Sequence, residues 1–289
     1  MKYVYVNLKR FDILRSLNGV NDYAIGENGN WAKSILEKLN DRVSTFSPLD
    51  YEFVFFFPEA YLIPAIETLN LQTKIKIGCQ SIHFHDSSER NIGAYTSFRP
   101  ASAMTSINIR NVIIGHSEER VGMMELLESV SSNSNRNKQA IHHILQNKIA
   151  LAQNAGMDVL YCIGESLDER DKGIWKAVLA DQLSFDNKKV DVKNIKIAYE
   201  PIWAIGHHRP VPTVEMIDGV AEYVHSLVGA DTPLLYGGGL KEENAEQIAA
   251  IRGISGGLIA LTNFTGHIGF YPDQFVHILQ KYTNGVIHK

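Results

Sequence analysis

The sequence predicts an α/β protein folded as a single closed (β/α)8 barrel. Three observations carry that expectation: eight short apolar runs, helical stretches between them, and no linker-like segment along 289 residues. The runs are Tyr3–Asn7, Phe53–Phe57, Ile75–Cys79, Val112–Gly115, Val159–Ile163, Ile195–Tyr199, Leu234–Gly237 and Gly257–Leu261. They lack a clean two-residue alternation, as expected of parallel strands covered on both faces. Helical stretches fill the gaps at Trp31–Leu39, Pro58–Asn70, Asn137–Ala155, Leu167–Leu183, Val214–Val228, Glu242–Ile251 and Pro272–Tyr282. Pro58 and Pro272 stand in first turns, where a missing N–H costs nothing. Thr213 puts a hydroxyl ahead of Glu215, which favours a helix start. On pattern alone, a doubly wound open sheet accommodates the same alternation.

A barrel of this kind needs roughly 250 residues, so the chain carries a surplus. It is expected in three surface loops of one domain spanning residues 1–289. These are the Gly/Asn-rich Leu17–Asn30, the polar Ser129–Asn137 and the stretch Thr265–Tyr271 after the eighth strand.

Composition narrows the function classes. Apolar residues make up 45% of the chain, enough for a large core. A net charge of −4 leaves no basic footprint for nucleic acid or anionic lipid, so neither is expected as a partner. The start, MKYVYVNLKRFDI, has neither the apolar run nor the cleavage site of a signal peptide. No apolar stretch approaches the 18 or so residues of a membrane span. A soluble cytoplasmic protein is the expectation. Cys79 and Cys162 stand at no metal-ligand spacing and read as small core residues. The pairs His83/His85, His142/His143 and His207/His208 have no matching carboxylate or cysteine set, so no metal and no other cofactor is expected.

In a parallel barrel, residues just past the C-terminal strand ends meet at one mouth. The first strand delivers Asn7 and Lys9, the fourth His116 followed by a helical turn, the sixth Glu200 followed by Pro201, and the seventh Gly237, Gly238 and Gly239. Taken singly, Glu200 reads as half of a structural pair, His116 as a helix cap and Lys9 as part of a solvated basic pair. Together they form a coherent set. A carboxylate can remove a proton alpha to a carbonyl, an imidazole can polarise that carbonyl, and an ammonium with an amide can stabilise the enediolate. Pro201 restricts the chain after Glu200, so the segment beyond it can act as a lid.

These strand ends resemble the triosephosphate isomerase family. YEPIWAIG at Tyr199–Gly206 and VIIGHSEER at Val112–Arg120 carry the resemblance most specifically. GAYT at Gly93–Thr96, CIGE at Cys162–Glu165, YGGG at Tyr236–Gly239 and VNLK at Val6–Lys9 support it, and it extends from Tyr3 to about Tyr282. The family is a standard example of tuned acid/base chemistry on the TIM barrel. The resemblance implies Glu200 as catalytic base, His116 as electrophile, Lys9 as electrostatic clamp and Asn7 as its neighbour. It implies Glu118 as the partner of the lysine, with Ser117 between. Thr96 matches a loop residue that reaches a neighbouring subunit, which implies a homodimer. Gly206, Gly237, Gly238 and Gly239 are expected to hold a small phosphorylated sugar.

The departures gather at the phosphate end. The lid continues as His207-His-Arg-Pro-Val-Pro in place of a small Gly-containing tip, Gly239 replaces a serine, and Ala260-Leu261 replace a pair of glycines. Arg209, His207 or Asn263 are the side chains expected to hold the anion instead. The leading expectation is an aldose–ketose isomerase acting through a cis-enediol on glyceraldehyde 3-phosphate and dihydroxyacetone phosphate. The alternatives are isomerisation of another small sugar phosphate, such as a tetrulose phosphate, and a non-catalytic metabolite-binding paralogue.

Overall fold

Each apolar run forms a strand because its two faces meet two different apolar layers. The computed structural model describes all residues except 22–29, 47–49, 71–72, 187, 205–209 and 288–289. The strands are β1 Lys2–Asn7, β2 Tyr51–Phe57, β3 Ile75–Cys79, β4 Asn111–Ile114, β5 Asp158–Ile163, β6 Ile195–Tyr199, β7 Leu234–Tyr236 and β8 Gly256–Ile259. They pair in parallel in chain order, and β8 returns to β1 through the register Tyr3↔Gly256 to Val6↔Ile259. That closure decides between the barrel and the open sheet.

The inward side chains of Tyr5, Val54, Phe56, Ile113, Leu160, Cys162, Ala198, Leu235 and Leu258 pack into one interior cluster. Their strand neighbours, such as Val4, Val6, Phe53 and Phe55, join a second cluster beneath the helices. Volume is matched across strands. A Cβ on Gly78 would lie 2.4 Å from the Phe56 ring, so the glycine of β3 makes room for the aromatic of β2.

The helices are α1 Trp31–Ser44, α2 Leu62–Thr68, α3 Ala101–Ser106, α4 Ser117–Glu128, α5 Ser134–Asn154, α6 Leu167–Asp171, α7 Trp175–Gln182, α8 Val214–Val228, α9 Ala245–Ala250 and α10 Pro272–Ile287. Several differ from expectation for local reasons. The stretch Leu167–Leu183 splits into α6 and α7 around Gly173, whose φ of 70° ends the first piece. A capping box between Ser166 and Glu169 starts α6. The stretch expected from Pro58 opens with a 3-10 turn, Glu59–Tyr61, before α2. The polar segment Ser129–Asn137 is a loop only as far as Asn133, whose side chain accepts the Arg136 N–H at 3.0 Å and caps α5. Twelve-residue α4 buries no residue fully, so it has no apolar stripe to predict it.

The loop after β1 contains the 3-10 turn Arg15–Leu17 and a bridge between Leu14 and Asn21; residues 22–29 fall outside the described residues. After β8, the bridge Asn263↔Gly269 folds the extra residues into a small hairpin. No helix among the described residues is long and apolar enough to cross a membrane.

Polar side chains close the N-terminal end of the barrel. Glu52 accepts from the Tyr5 hydroxyl and pairs with Lys76 at 2.7 Å and Lys196 at 3.6 Å, while Lys196 reaches Asp158 at 3.7 Å. Burial pushes the Glu52 carboxyl up. Its bonds from Lys76 and Tyr5 and the charge of Lys196 outweigh that and hold it below the usual range. A depressed folded value means stability that is present above the unfolded value and lost as pH falls. Glu52→Gln is therefore expected to destabilise the protein by about 1–2 kcal/mol at pH 7, since it removes the partner of half-exposed Lys76 and leaves Lys196 with Asp158 alone among the described carboxylates. Urea unfolding should show the difference from the parent shrinking once the pH drops below the ordinary carboxyl value of 4.5.

Candidate active site

At the opposite end the inward rows run past their last paired residues into an open mouth. Beyond Tyr3 and Tyr5 comes Asn7, beyond Ala198 comes Glu200, beyond Leu235 comes Gly237, and beyond Leu258 comes Ala260. All four line one pocket together with Lys9 and His116. The set anticipated at the strand ends is therefore assembled in one place.

His116 is the N-cap of α4, and its Nδ1 accepts the Glu118 N–H at 3.3 Å. A neutral ring in that arrangement carries its proton on Nε2. That nitrogen lies 3.1 Å from Oε1 of Glu200. The other carboxylate oxygen, Oε2, accepts the Ser117 N–H at 3.0 Å. Two successive unpaired N–H groups of the helix are thus divided between the imidazole and the carboxylate.

Glu200 is buried, and its own N–H donates to the Ile163 carbonyl at 2.7 Å. Gly164 permits this approach, because a Cβ there would stand 1.9 Å from the Glu200 carbonyl oxygen. Beside the carboxylate, burial and the charge of Glu200 push the Cys162 thiol well up, so it stays protonated and hydrogen-bonds Glu200.

Lys9 holds a left-handed backbone with φ 42°, a strain of about 1 kcal/mol for a non-glycine residue. Asn7 Oδ1 accepts its N–H at 3.0 Å, and Gln80 Nε2 donates to its carbonyl at 2.9 Å and to Asn7 Oδ1 at 3.2 Å. The ammonium then meets Glu118 Oε1 at 2.7 Å. Burial raises the Glu118 carboxyl, but the bond and charge of Lys9 prevail and hold it below the usual range.

Behind these residues lies a bracing layer, of which Glu119 and Arg120 were not anticipated from the sequence whereas Glu165 was expected to be structural. Glu119 accepts the Gly115 N–H and the Ser81 hydroxyl, each at 2.6 Å, and pairs with buried Lys148. Arg120 donates to the Gly115 carbonyl at 2.8 Å, the Tyr161 hydroxyl at 2.9 Å and the Cys162 carbonyl at 2.8 Å. Fully buried Glu165 receives Arg170 at 2.6 Å, Tyr199 at 2.9 Å and Trp203 at 2.8 Å, which ties the turn after Pro201 to the barrel.

At the far end, Gly237, Gly238 and Gly239 line the pocket. Gly239 has φ 88°, and a Cβ on Gly238 would lie 2.4 Å from the Tyr236 hydroxyl, so both positions favour glycine. Lys241, Asn244, Phe264 and Phe11 also line it and were not singled out beforehand. Asn263 departs from expectation. Its amide donates to the His267 carbonyl at 2.8 Å and accepts the Thr265 N–H at 3.4 Å, so its side chain ties its own hairpin. Gly206, His207 and Arg209 fall outside the described residues. Thr96 is exposed on the loop between β3 and α3, away from the pocket lining.

The chain matches the family model described as triosephosphate isomerase over residues 24–280. It is 31% identical over 204 residues to the triosephosphate isomerase of Synechococcus sp. (strain JA-3-3Ab), covering 70% of this chain and 69% of that one. The enzyme of that name from Acinetobacter baylyi is 35% identical over 204 residues, covering 66% of this chain and 67% of its own. The crystal structure of triosephosphate isomerase from Bartonella henselae superimposes with a TM-score of 0.68 at 25% identity, covering 97% of this chain and 98% of that one. With the barrel, the strand-end set and these matches together, the chain belongs to the triosephosphate isomerase family and is an isomerase.

Proposed function

We propose that the chain, as one catalytic domain, interconverts D-glyceraldehyde 3-phosphate and dihydroxyacetone phosphate through a cis-enediolate. The observation that carries this reading is the pairing of His116 Nε2 with Glu200 at 3.1 Å on the end of α4. Glu200 is the base. Its carboxylate leaves the Ser117 N–H, turns into the pocket and takes the proton from the carbon alpha to the carbonyl. The electron pair moves onto the carbonyl oxygen, where His116 Nε2–H and the Lys9 ammonium oppose the charge, with Asn7 beside them. Protonated Glu200 then returns a proton to the neighbouring carbon, and the second carbonyl forms as the enediol proton is relayed through His116. Ser117 and Glu118 position the pair, and Gly237, Gly238 and Gly239 let the backbone approach the phosphate. The anchor at Glu165 fixes Trp203 after Pro201; Gly206 and Arg209, beyond it and outside the described residues, are the further phosphate contacts of this reading. No cofactor enters this scheme.

The test is turnover. Shortening Glu200 to Asp withdraws the carboxylate by about the length of one C–C bond, and a displacement of that size costs about 100-fold in rate. Glu200→Asp should lower kcat by at least that factor with unchanged circular dichroism and unfolding midpoint; a rate equal to the parent's would remove the mechanism. His116→Gln should lower kcat to a similar degree, because an amide can donate to the carbonyl but cannot shuttle protons. The pocket's Ala260, Leu261 and Phe264 favour testing a tetrulose phosphate alongside the trioses. No turnover of any of these with retained binding would favour the metabolite-binding alternative.

We also read the protein as a cytoplasmic homodimer. The loop carrying Thr96 presents Ile92 at 86% exposure and Phe98 at 57%, with Phe98 stacked on His83 at 4.1 Å. Such an apolar tip suits burial against a second copy. Sedimentation velocity of Phe98→Asp should give a monomer with reduced activity, whereas an unchanged sedimentation coefficient would sink the dimer.

A further inference from the structure

Two ammonium groups line the pocket among the described residues, Lys9 and Lys241. Lys9 is already balanced by Glu118 at 2.7 Å. Lys241 has no ion pair among the described residues. Its ammonium lies over the ring of Phe264, 4.1 Å from the centroid. A ring face occupies one side of an ammonium and leaves other N–H donors to point elsewhere.

Two loops hold that arrangement. Asn244 Oδ1 accepts the Lys241 N–H at 2.8 Å, and its amide donates to the Gly239 carbonyl at 3.1 Å, so the base of the lysine is fixed next to the glycines. A Cβ on Gly239 would come within 3.9 Å of the Lys241 Cε, which places the stem along that backbone. Phe264 sits in the hairpin after β8, where the Thr262 and Asn263 N–H groups donate to Gly269 at 3.1 and 3.0 Å and the Thr262 hydroxyl accepts the Tyr271 N–H at 2.7 Å. The residues that lengthen this loop are thus the ones that bring the ring to the lysine.

We propose that Lys241 is a cationic partner of the substrate's phosphate at the glycine end and that Phe264 is its positioning residue. The inference rests on the isomerase reading above. A phosphate monoester near neutral pH carries close to two negative charges and must share the pocket with the Glu200 carboxylate. Lys9 faces the proton-transfer end with Glu118, and Lys241 is the lining cation among the described residues that stands beside Gly239 at the glycine end. A charge-bearing side chain here supplies a charge that Ala260 and Leu261, which line the same wall, do not carry.

The experiment uses the full chain with Lys241→Met, Lys241→Arg and Phe264→Leu. Steady-state kinetics with D-glyceraldehyde 3-phosphate should show Lys241→Met raising KM on the order of 10- to 100-fold, with a smaller change in kcat. Arg should recover most of the loss. Phe264→Leu should raise KM about threefold with kcat held. Titration with inorganic phosphate, followed by 31P NMR, should show binding to the parent that is weakened at least tenfold in Lys241→Met. Unchanged KM in Lys241→Met, or an equal loss in Lys241→Arg, would overturn the proposal. So would phosphate binding that is absent from the parent or unaltered in Lys241→Met. Should the parent not isomerise the triose phosphate, the functional reading fails on its own, while the phosphate titration still decides the role of Lys241.

Discussion

The N-terminus of α4 is the constraint on which the rest of the site depends. A helix begins with N–H groups that have no partner within it. Here one of them donates to the Glu200 carboxylate and the next to Nδ1 of His116. That division assigns the imidazole tautomer and brings Nε2 to the carboxylate. Residues from β4 and β6 are thus joined through one helix end, whose partial positive charge also favours the neighbouring anion.

Holding that helix end in place requires buried polar groups behind it. Glu119 reaches back to Gly115, Ser81 and Lys148, while Arg120 reaches Gly115, Tyr161 and the carbonyl of Cys162. HSEER therefore serves three directions: His116 and the Ser117 N–H face Glu200, Glu118 faces Lys9, and Glu119 and Arg120 brace the turn at Gly115. The same logic recurs at Glu165, whose three donors come from α6, β6 and the turn after Pro201. Groups of this kind are tolerated inside the protein because hydrogen bonds and opposite charges offset their desolvation; at Glu165 all three donors converge on Oε1 while Oε2 is left without a partner among the described residues. The opposite end of the barrel uses the same device for closure alone, with Glu52 between two lysines.

The two ends of the pocket are built by different rules. The proton-transfer end stands on strand termini and a helix start, elements that the barrel holds at set distances. The glycine end stands on loops, where one hairpin changes the wall without disturbing a strand. Gly239, Ala260 and the hairpin after β8 lie in that second region. A family framework can therefore persist while its recognition surface shifts.

Strand positions and the residues Asn7, Lys9, His116 and Glu200 were legible in the sequence. They depend on short apolar runs and on the rule that parallel barrels open at their C-terminal strand ends. Helix α4 was not legible beyond its first turn, since it buries no stripe, and Asn263 was misassigned because a loop amide reads alike whether it binds a ligand or its own backbone. Gln80, Glu119 and Lys241 carry no local pattern that separates them from ordinary surface polar residues. What sets them apart is contact with Asn7, Lys148 and Phe264, partners remote along the chain. The sequence by itself determined which chemistry stands at the strand ends, because period and turn residues act over a few positions. Only the tertiary structure decided how those groups share N–H donors and which pocket lysine, among the described residues, stands over a ring instead of a carboxylate, because these are through-space matters that barrel closure settles.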